Sequence, residues 1–553
     1  MFAQVATRAA ARALRLPPVR ASKIIYNRDQ RVRVRDGTVL MTDHYATGVP
    51  DAGTVLIRTP YGRGGPVTLL GRLVAERGLH CVIQSCRGTY GSGGSFEPML
   101  HERDDGLDTV EWLRRQPWYN GALGMFGASY QGFTQWAVAP HLRDDLRAMV
   151  LVCTASEARG STYSGESFAL DTVLTWAELL SAEGEPFFSR QFELKRGQPR
   201  LLRGLAHLPL AEADRVAVGD DVPFFQEWLR EVEPGAAYWR ERRFDTGVSE
   251  VKAPVVMITG WHDIFLPAQL RDYAALKEAG GRPALMIGPW THGSAGLLGA
   301  SMREGLAFLC DHLPRGWGAA AALRHDGVRP GTVRVHVEHA GWRDVPEWPP
   351  GGVPDEMFLG PGGGLAASPP PASEPSRFYY DPADPTPSVG GAVLAANKAG
   401  RFDNRRVEAR SDVLTFTGAP LVAPREVVGE VAATIHVRGE PDYFDVFVRL
   451  CDVDPRGRSW NVCDGLVRVV PGRFPRDAGG VTAVEVPMFP TAYRFRAGHR
   501  MRVQVTGGAH PRWARNPGTG EPLGTAIDLR GGDRWIFHDP AHASALCLPP
   551  PVS

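Results

Sequence analysis

Lysine is scarce in this chain. Only Lys23, Lys195, Lys252, Lys277 and Lys398 stand among 62 basic residues, so arginine carries nearly all the positive charge. An excess of either sign is also missing: 61 acidic residues leave a formal net charge of +1. No whole-molecule field draws the chain to nucleic acid or an anionic membrane, and no basic run with interleaved aromatics appears. Cysteines are few and scattered, at Cys81, Cys86, Cys153, Cys310, Cys451, Cys463 and Cys547. Their odd number and the lack of a C-x-x-C pair argue against a disulfide framework or a zinc site, and point to reduced thiols in the cytoplasm. Histidines show no H-E-x-x-H or similar spacing, so neither metal nor cofactor is expected. No apolar run is long enough to span a bilayer. Residues 1–22 lack acidic side chains. There Arg8, Arg12 and Arg15 share one helical face, as in a transit peptide and equally as in an amphipathic or frayed tail.

With 553 residues the chain exceeds what one core holds, and no internal repeat divides it. Arg31 to Arg35 alternates, Asp36-Gly37 offers a tight turn, and Thr38 to Met41 follows, which predicts a hairpin. Short apolar strands then alternate with helices. Strands are predicted at 54–57, 79–83, 123–126, 149–153, 254–259 and 284–287, with helices at 66–76, 103–115, 130–139 and 267–278 between them. This rhythm means a mostly parallel sheet with helices on both faces, an α/β fold. It stops between Cys153 and Pro254, where Leu170, Val173, Leu174, Trp176, Leu179 and Leu180 recur at helical spacing. From about Gly351, Pro and Gly clusters lead into short strands separated by turns, the pattern of a β-sandwich. The expected organisation is therefore a tail at 1–22, the first part of the α/β domain at 23–153 and a helical cap at 154–250. The second part of the α/β domain follows at 251–350, and the sandwich at 351–553.

The chemistry-bearing motif is Gly124-Met-Phe-Gly-Ala-Ser-Tyr-Gln-Gly132. It nearly fits the nucleophile elbow G-x-S-x-G, with one extra residue before the last glycine. A serine hydroxyl needs an exposed, fixed position and a neighbouring base, and a sharp strand-to-helix turn supplies the position. The Tyr130 amide, just after Ser129, is placed to stabilise an oxyanion. An acid and a base are expected later in the chain, in that order. Predicted strands end in Gly260-Trp-His-Asp-Ile-Phe265 and Gly288-Pro-Trp-Thr-His-Gly293, so Asp263 is assigned as orienting acid and His292 as base. His262 is the competitor, read as an exposed loop histidine.

These segments resemble the cocaine esterase / glutaryl-acylase (CocE/NonD) group of α/β-hydrolases, related to X-Pro dipeptidyl peptidases and α-amino acid ester hydrolases. Further marks are Arg58-Thr-Pro-Tyr61, Cys86-Arg-Gly-Thr-Tyr-Gly-Ser-Gly-Gly94, Asp381-Pro-Ala-Asp-Pro385 with Gly390-Gly391, and Gly498-His-Arg-Met-Arg502. The resemblance implies an α/β-hydrolase fold with an inserted helical cap and a C-terminal jelly roll. It implies a serine esterase or acylase working on a small-molecule ester or amide. X-Pro dipeptidyl-peptidase or β-lactam acylase activity is the alternative, and an idle binding scaffold the reading of another class. It maps a second oxyanion donor onto Tyr61 and an aromatic acyl pocket onto Trp176, Phe265 and Tyr163. No nucleic acid or membrane partner is implied, and a homodimer is left open. The chain departs from the group at Ser85, where many relatives carry an aspartate, and a weaker link to Arg87 is expected. Glu166, Asp171 and Glu178 in the cap are expected to be solvated, with no carboxylate cluster to hold a substrate ammonium.

Overall fold

The structure, a computed structural model, describes residues 7–550 apart from 8, 10, 182–186, 314–327 and 396. Arg8 and part of the expected cap thus lie outside the described residues. β1 (Ile24–Arg33) and β2 (Val39–Thr47) form the hairpin predicted around Asp36-Gly37. After them come β3 (Thr54–Thr59), β4 (His80–Ser85), β5 (Leu123–Ala128) and β6 (Leu146–Val152). A two-strand hairpin, β7 (Tyr163–Ser164) and β8 (Ser167–Phe168), opens the inserted segment. The main sheet resumes with β9 (Val255–His262), β10 (Ala284–Thr291), β11 (Val333–Val337) and β12 (Gly341–Val345). Its strand order is β1-β2-β4-β3-β5-β6-β9-β10-β11-β12. From β4 to β11 neighbours run parallel, and the hairpin and β12 close the two ends antiparallel.

Helices cover both faces, which is why β3 and β4 are buried at every position, with the apolar stretches 55–57 and 81–83 at their centres. One face receives α1 (Pro66–Glu76), whose Leu73 and Val74 pack with Val55, Ile57 and Ile83. Pro66 starts that helix, where a missing N–H costs nothing. The tail is held here: Thr7 Oγ1 donates to Glu76 Oε1 at 2.8 Å, and Arg77 Nε donates to the Pro17 carbonyl at 3.1 Å. α2 (Glu102–Arg114), α3 (Tyr130–Trp136) and α4 (Leu266–Glu278) pack Val110, Trp136, Leu266 and Leu270 on the other face, against Leu56, Met125 and Met257. Each such side chain contributes about 1.5–3 kcal/mol on burial.

The inserted segment is helical, as its spacing predicts. The helix Leu170–Ser181 buries Leu170, Val173 and Leu174 against Leu201, Leu205 and Phe225 of later helices. Two of its charges are not solvated as expected: Asp171 is 3% exposed and Glu178 9%. The C-terminal region explains Asp171. Its carboxylate receives the Leu394 and Ala395 amides and feels Lys398 and Arg512, while burial raises its pKa. Glu166 pairs with Arg159 at 2.6 Å.

Strands from Asp355 to Leu548 build an 11-stranded sheet wrapped round one core, which includes Ile435, Val448, Phe495 and Val505. The strand Ala432–Gly439 alternates buried and half-buried positions. The strand Phe444–Val453 is buried throughout. Its second face is closed from within by charge: Arg449 and Arg512 both pair with Asp464, at 2.7 and 2.5 Å. The next strand meets the cap, where Arg468 N donates to the Gly165 carbonyl at 2.8 Å.

His262 departs from its expected place in an exposed loop. It is the last residue of β9, turned to the sandwich near Asp464 and Arg401, and burial lowers its pKa to about 4. Arg87 also keeps its anchor although Ser85 replaces the relatives' aspartate. Asp105 accepts from it at 2.6 and 3.0 Å and Asp36 at 2.7 Å. Ser85 Oγ instead accepts from Arg63 at 2.6 Å.

Candidate active site

Ser129 stands between β5 and α3 with φ 57° and ψ −126°. A non-glycine residue there is strained, and the surroundings hold it: its N–H donates to the Val152 carbonyl at 2.9 Å, and its carbonyl accepts from Thr154 Oγ1 at 2.8 Å. Close packing explains the glycines of the motif. A Cβ on Gly127 would lie 2.3 Å from Gln131 Cβ, and one on Gly132 would lie 2.2 Å from Thr154 Oγ1. The extra residue, Gln131, is itself used. Its Oε1 accepts from the Ala128 amide at 3.1 Å and its Nε2 donates to Thr59 Oγ1 at 3.2 Å.

In the sheet, β5, β6, β9 and β10 are successive neighbours. Asp263 follows β9 and His292 follows β10, so both lie at the strand ends where β5 turns into the elbow. His292 Nδ1 is 2.6 Å from Asp263 Oδ2. A carboxylate accepts, so Nδ1 carries the proton and Nε2 is left as the basic nitrogen. Asp263 is fully buried, and its Oδ1 accepts from the Phe265 amide at 2.8 Å. Cys153, at the end of β6, adds its thiol to the same carboxylate. Cys153, Asp263 and His292 bring a sulfur, an oxygen and a nitrogen within 4.8 Å of one another, a spacing that suits a metal ion. The donors do not fit one: burial and the Asp263 charge push the thiol pKa well up, so it stays protonated, and Asp263 is already engaged with His292.

Tyr61 stands just past β3, and its phenol oxygen accepts from Trp176 Nε1 at 3.2 Å. Phe265 lies between the elbow helix and the imidazole, with ring centroids 5.8 Å from Phe133 and 5.6 Å from His292. Trp176 stacks on Tyr130 at 6.0 Å and on Trp228 at 5.8 Å, with Phe224 at 4.8 Å. Tyr163 reaches this wall only through the Trp228 main chain, among the described contacts. It sits in the cap core, its hydroxyl donating to the Trp228 carbonyl at 2.6 Å. Sequence reasoning missed Cys153, Gln131, Phe224 and Trp228. Of these, Gln131 alone left a signal, as the residue that spoils the simple G-x-S-x-G fit.

The family model of the X-Pro dipeptidyl-peptidase (S15 family) matches residues 36–294. That of the X-Pro dipeptidyl-peptidase C-terminal non-catalytic domain matches 326–546. The cocaine esterase of Rhodococcus sp. (strain MB1 Bresler) is 29% identical over 584 residues, covering 94% of this chain and 97% of that protein. The chain belongs to the cocaine esterase group of α/β-hydrolases. Solved structures share this fold along nearly the whole chain. A crystallised α-amino acid ester hydrolase superposes with TM-score 0.79 at 23% identity, over 96% of this chain and 98% of that one. An aminopeptidase from a marine sediment Thaumarchaeota archaeon gives 0.78 at 19% identity, over 95% and 96%. Among the described residues no helix is long and apolar enough to cross a membrane.

Proposed function

We propose that this chain, a serine hydrolase of carboxylic esters, works through an acyl-enzyme on Ser129. The observation that carries this is the buried Asp263–His292 hydrogen bond, set at strand ends in the same sheet as the strained elbow. His292 takes the Ser129 proton as Oγ attacks the acyl carbonyl, and Asp263 holds the imidazole and stabilises its charged form. The carbonyl oxygen, now negative, accepts from the Tyr130 amide and the Tyr61 hydroxyl. Collapse breaks the ester bond, and His292 returns the proton to the leaving alkoxide. Water then attacks the acyl-enzyme by the same route in reverse, releasing acid and restoring Ser129.

Trp176 and Phe265 form the wall beside the elbow, so neutral, apolar acyl groups are the favoured substrates, with amides a slower class. Neither Trp176 nor Phe265 offers a substrate ammonium a carboxylate, which favours neutral esters over the substrates of an aminopeptidase. A reducing cytoplasmic setting fits the chain, whose seven cysteines are free thiols. Ser129→Ala is expected to abolish turnover of a small aryl ester and labelling by a fluorophosphonate. Retention of near-native activity would overturn the assignment.

A further inference from the structure

Behind the elbow lies a buried charge the mechanism above does not use. Arg58, on β3, and Glu102, at the start of α2, have side chains 0% and 5% exposed and meet at 2.7 Å. The same guanidinium nitrogen also donates to the Glu102 main-chain carbonyl at 2.8 Å, and Arg58 Nε donates to Gln84 Oε1 at 2.9 Å. The other Glu102 oxygen accepts from the Tyr130 hydroxyl at 2.9 Å, and that hydroxyl accepts from the Met99 amide at 2.8 Å. The Cys86 thiol lies 3.7 Å from Glu102 Oε2, and Asp105 Oδ2 stands 4.0 Å from the second terminal nitrogen of Arg58.

Position in the chain gives this cluster its meaning. Arg58 is three residues before Tyr61, on the strand that delivers it. Tyr130 is the residue whose amide follows Ser129. One carboxylate therefore ties together the two segments that carry the oxyanion donors. A buried ion pair is weak evidence for stability, because desolvation offsets much of the attraction. It is a device for fixing geometry, since the pair offsets its desolvation only while both partners keep their places. Donors aimed at an oxyanion act only when fixed in place, and small misplacements are costly in rate.

We propose that Glu102 is a positioning residue of the esterase reaction, holding the Tyr61 hydroxyl and the Tyr130 amide at a fixed separation. The inference rests on the oxyanion assignment of Tyr61 and Tyr130. Glu102 touches neither substrate nor Ser129 and acts through Arg58 and the Tyr130 phenol.

The test is kinetic, on the full chain with a neutral aryl ester. Glu102→Gln keeps the shape and one acceptor oxygen but removes the charge. It is expected to lower kcat by about tenfold or more with KM within about twofold. Affinity for an aryl boronate, which mimics the tetrahedral oxyanion, should fall in parallel. Tyr130→Phe, which cuts the same link from the other side, should show a similar split. The double variant should lose little beyond the worse single change, because the two act through one contact. If the Glu102→Gln protein unfolds, Tyr130→Phe carries the test alone through its kcat and boronate affinity.

A merely structural role would lower the melting temperature and leave kcat of the folded fraction and boronate affinity unchanged, which overturns the proposal. Additive losses in the double variant overturn it as well. Tyr61→Phe separates this failure from failure of the oxyanion reading. If Tyr61→Phe is severe and Glu102→Gln silent, only the positioning role falls. If Tyr61→Phe is itself silent, the assignment beneath it falls.

Discussion

The floor and the roof of the candidate site are held by different forces. Beneath the substrate position, polar groups are fixed by hydrogen bonds: His292 by Asp263, Asp263 by the Phe265 amide, and the elbow by Gln131 and Thr154. Above it, Trp176, Phe224 and Trp228 meet through ring faces and edges, and the indole N–H of Trp176 is the polar contact reaching down to Tyr61. Hydrogen bonds between charged and polar groups fix atoms within tenths of an ångström, as proton transfer requires. Aromatic packing is strong but tolerant of shape. The floor should therefore set rate, and the roof should set which acyl group enters.

The sharpest break of this comparison is at the acid. Asp263→Asn keeps the shape but offers an N–H where Nδ1 already donates, so the imidazole must turn or change tautomer. A kcat loss of about 10^4-fold is expected, with circular dichroism unchanged. Next comes Tyr61→Phe, which removes one donor: a loss of about 100-fold in kcat, read in steady-state kinetics, with small change in KM. On the roof, Trp176→Ala should change the kcat/KM ratio between aromatic-acyl and acetyl esters by about tenfold, while the acetyl ester is still turned over. If the acetyl ester loses as much as the aromatic one, the division of labour fails.

The smallest effect lies outside both regions. His44 Nε2 and His80 Nδ1 are 3.1 Å apart, and the His44 ring stacks on Trp118 at 3.9 Å. Burial lowers both pKa values, His44 to about 3 and His80 to about 4. Below about pH 6.5 the unfolded chain binds protons that the folded one refuses, so stability falls with pH toward about 4. Urea midpoints at pH 7 and pH 5 should show this, and His44→Gln with His80→Gln should flatten the slope.

Much of this was legible in the chain. Helix 66–76 was bounded by Pro66 and by an apolar stripe, and the structure places it at those residues. That Asp263 and His292 lie at neighbouring strand ends was legible because the apolar runs stop at Gly260 and Gly288. What stayed hidden was whatever depends on two distant segments meeting. Glu102 and Arg58 are 44 positions apart, and nothing local marks them as partners. Asp171 looked solvated because its cover comes from Leu394 and Ala395, in another domain. His262 was misread for the same reason, its surroundings being Asp464 and Arg401.

The sandwich reaches the loop that carries the base. A Cβ on Gly400 would lie 3.5 Å from the Thr291 methyl, and Arg401 pairs at 2.6 Å with Glu338, just after β11. The loop that ends in His292 is thus backed by a sandwich loop made later on the ribosome. A nascent chain would carry Ser129, Asp263 and His292 before the residues that back the His292 loop are made. If Ser129 and His292 act as proposed, a fragment that ends before the sandwich is expected to react poorly with a fluorophosphonate.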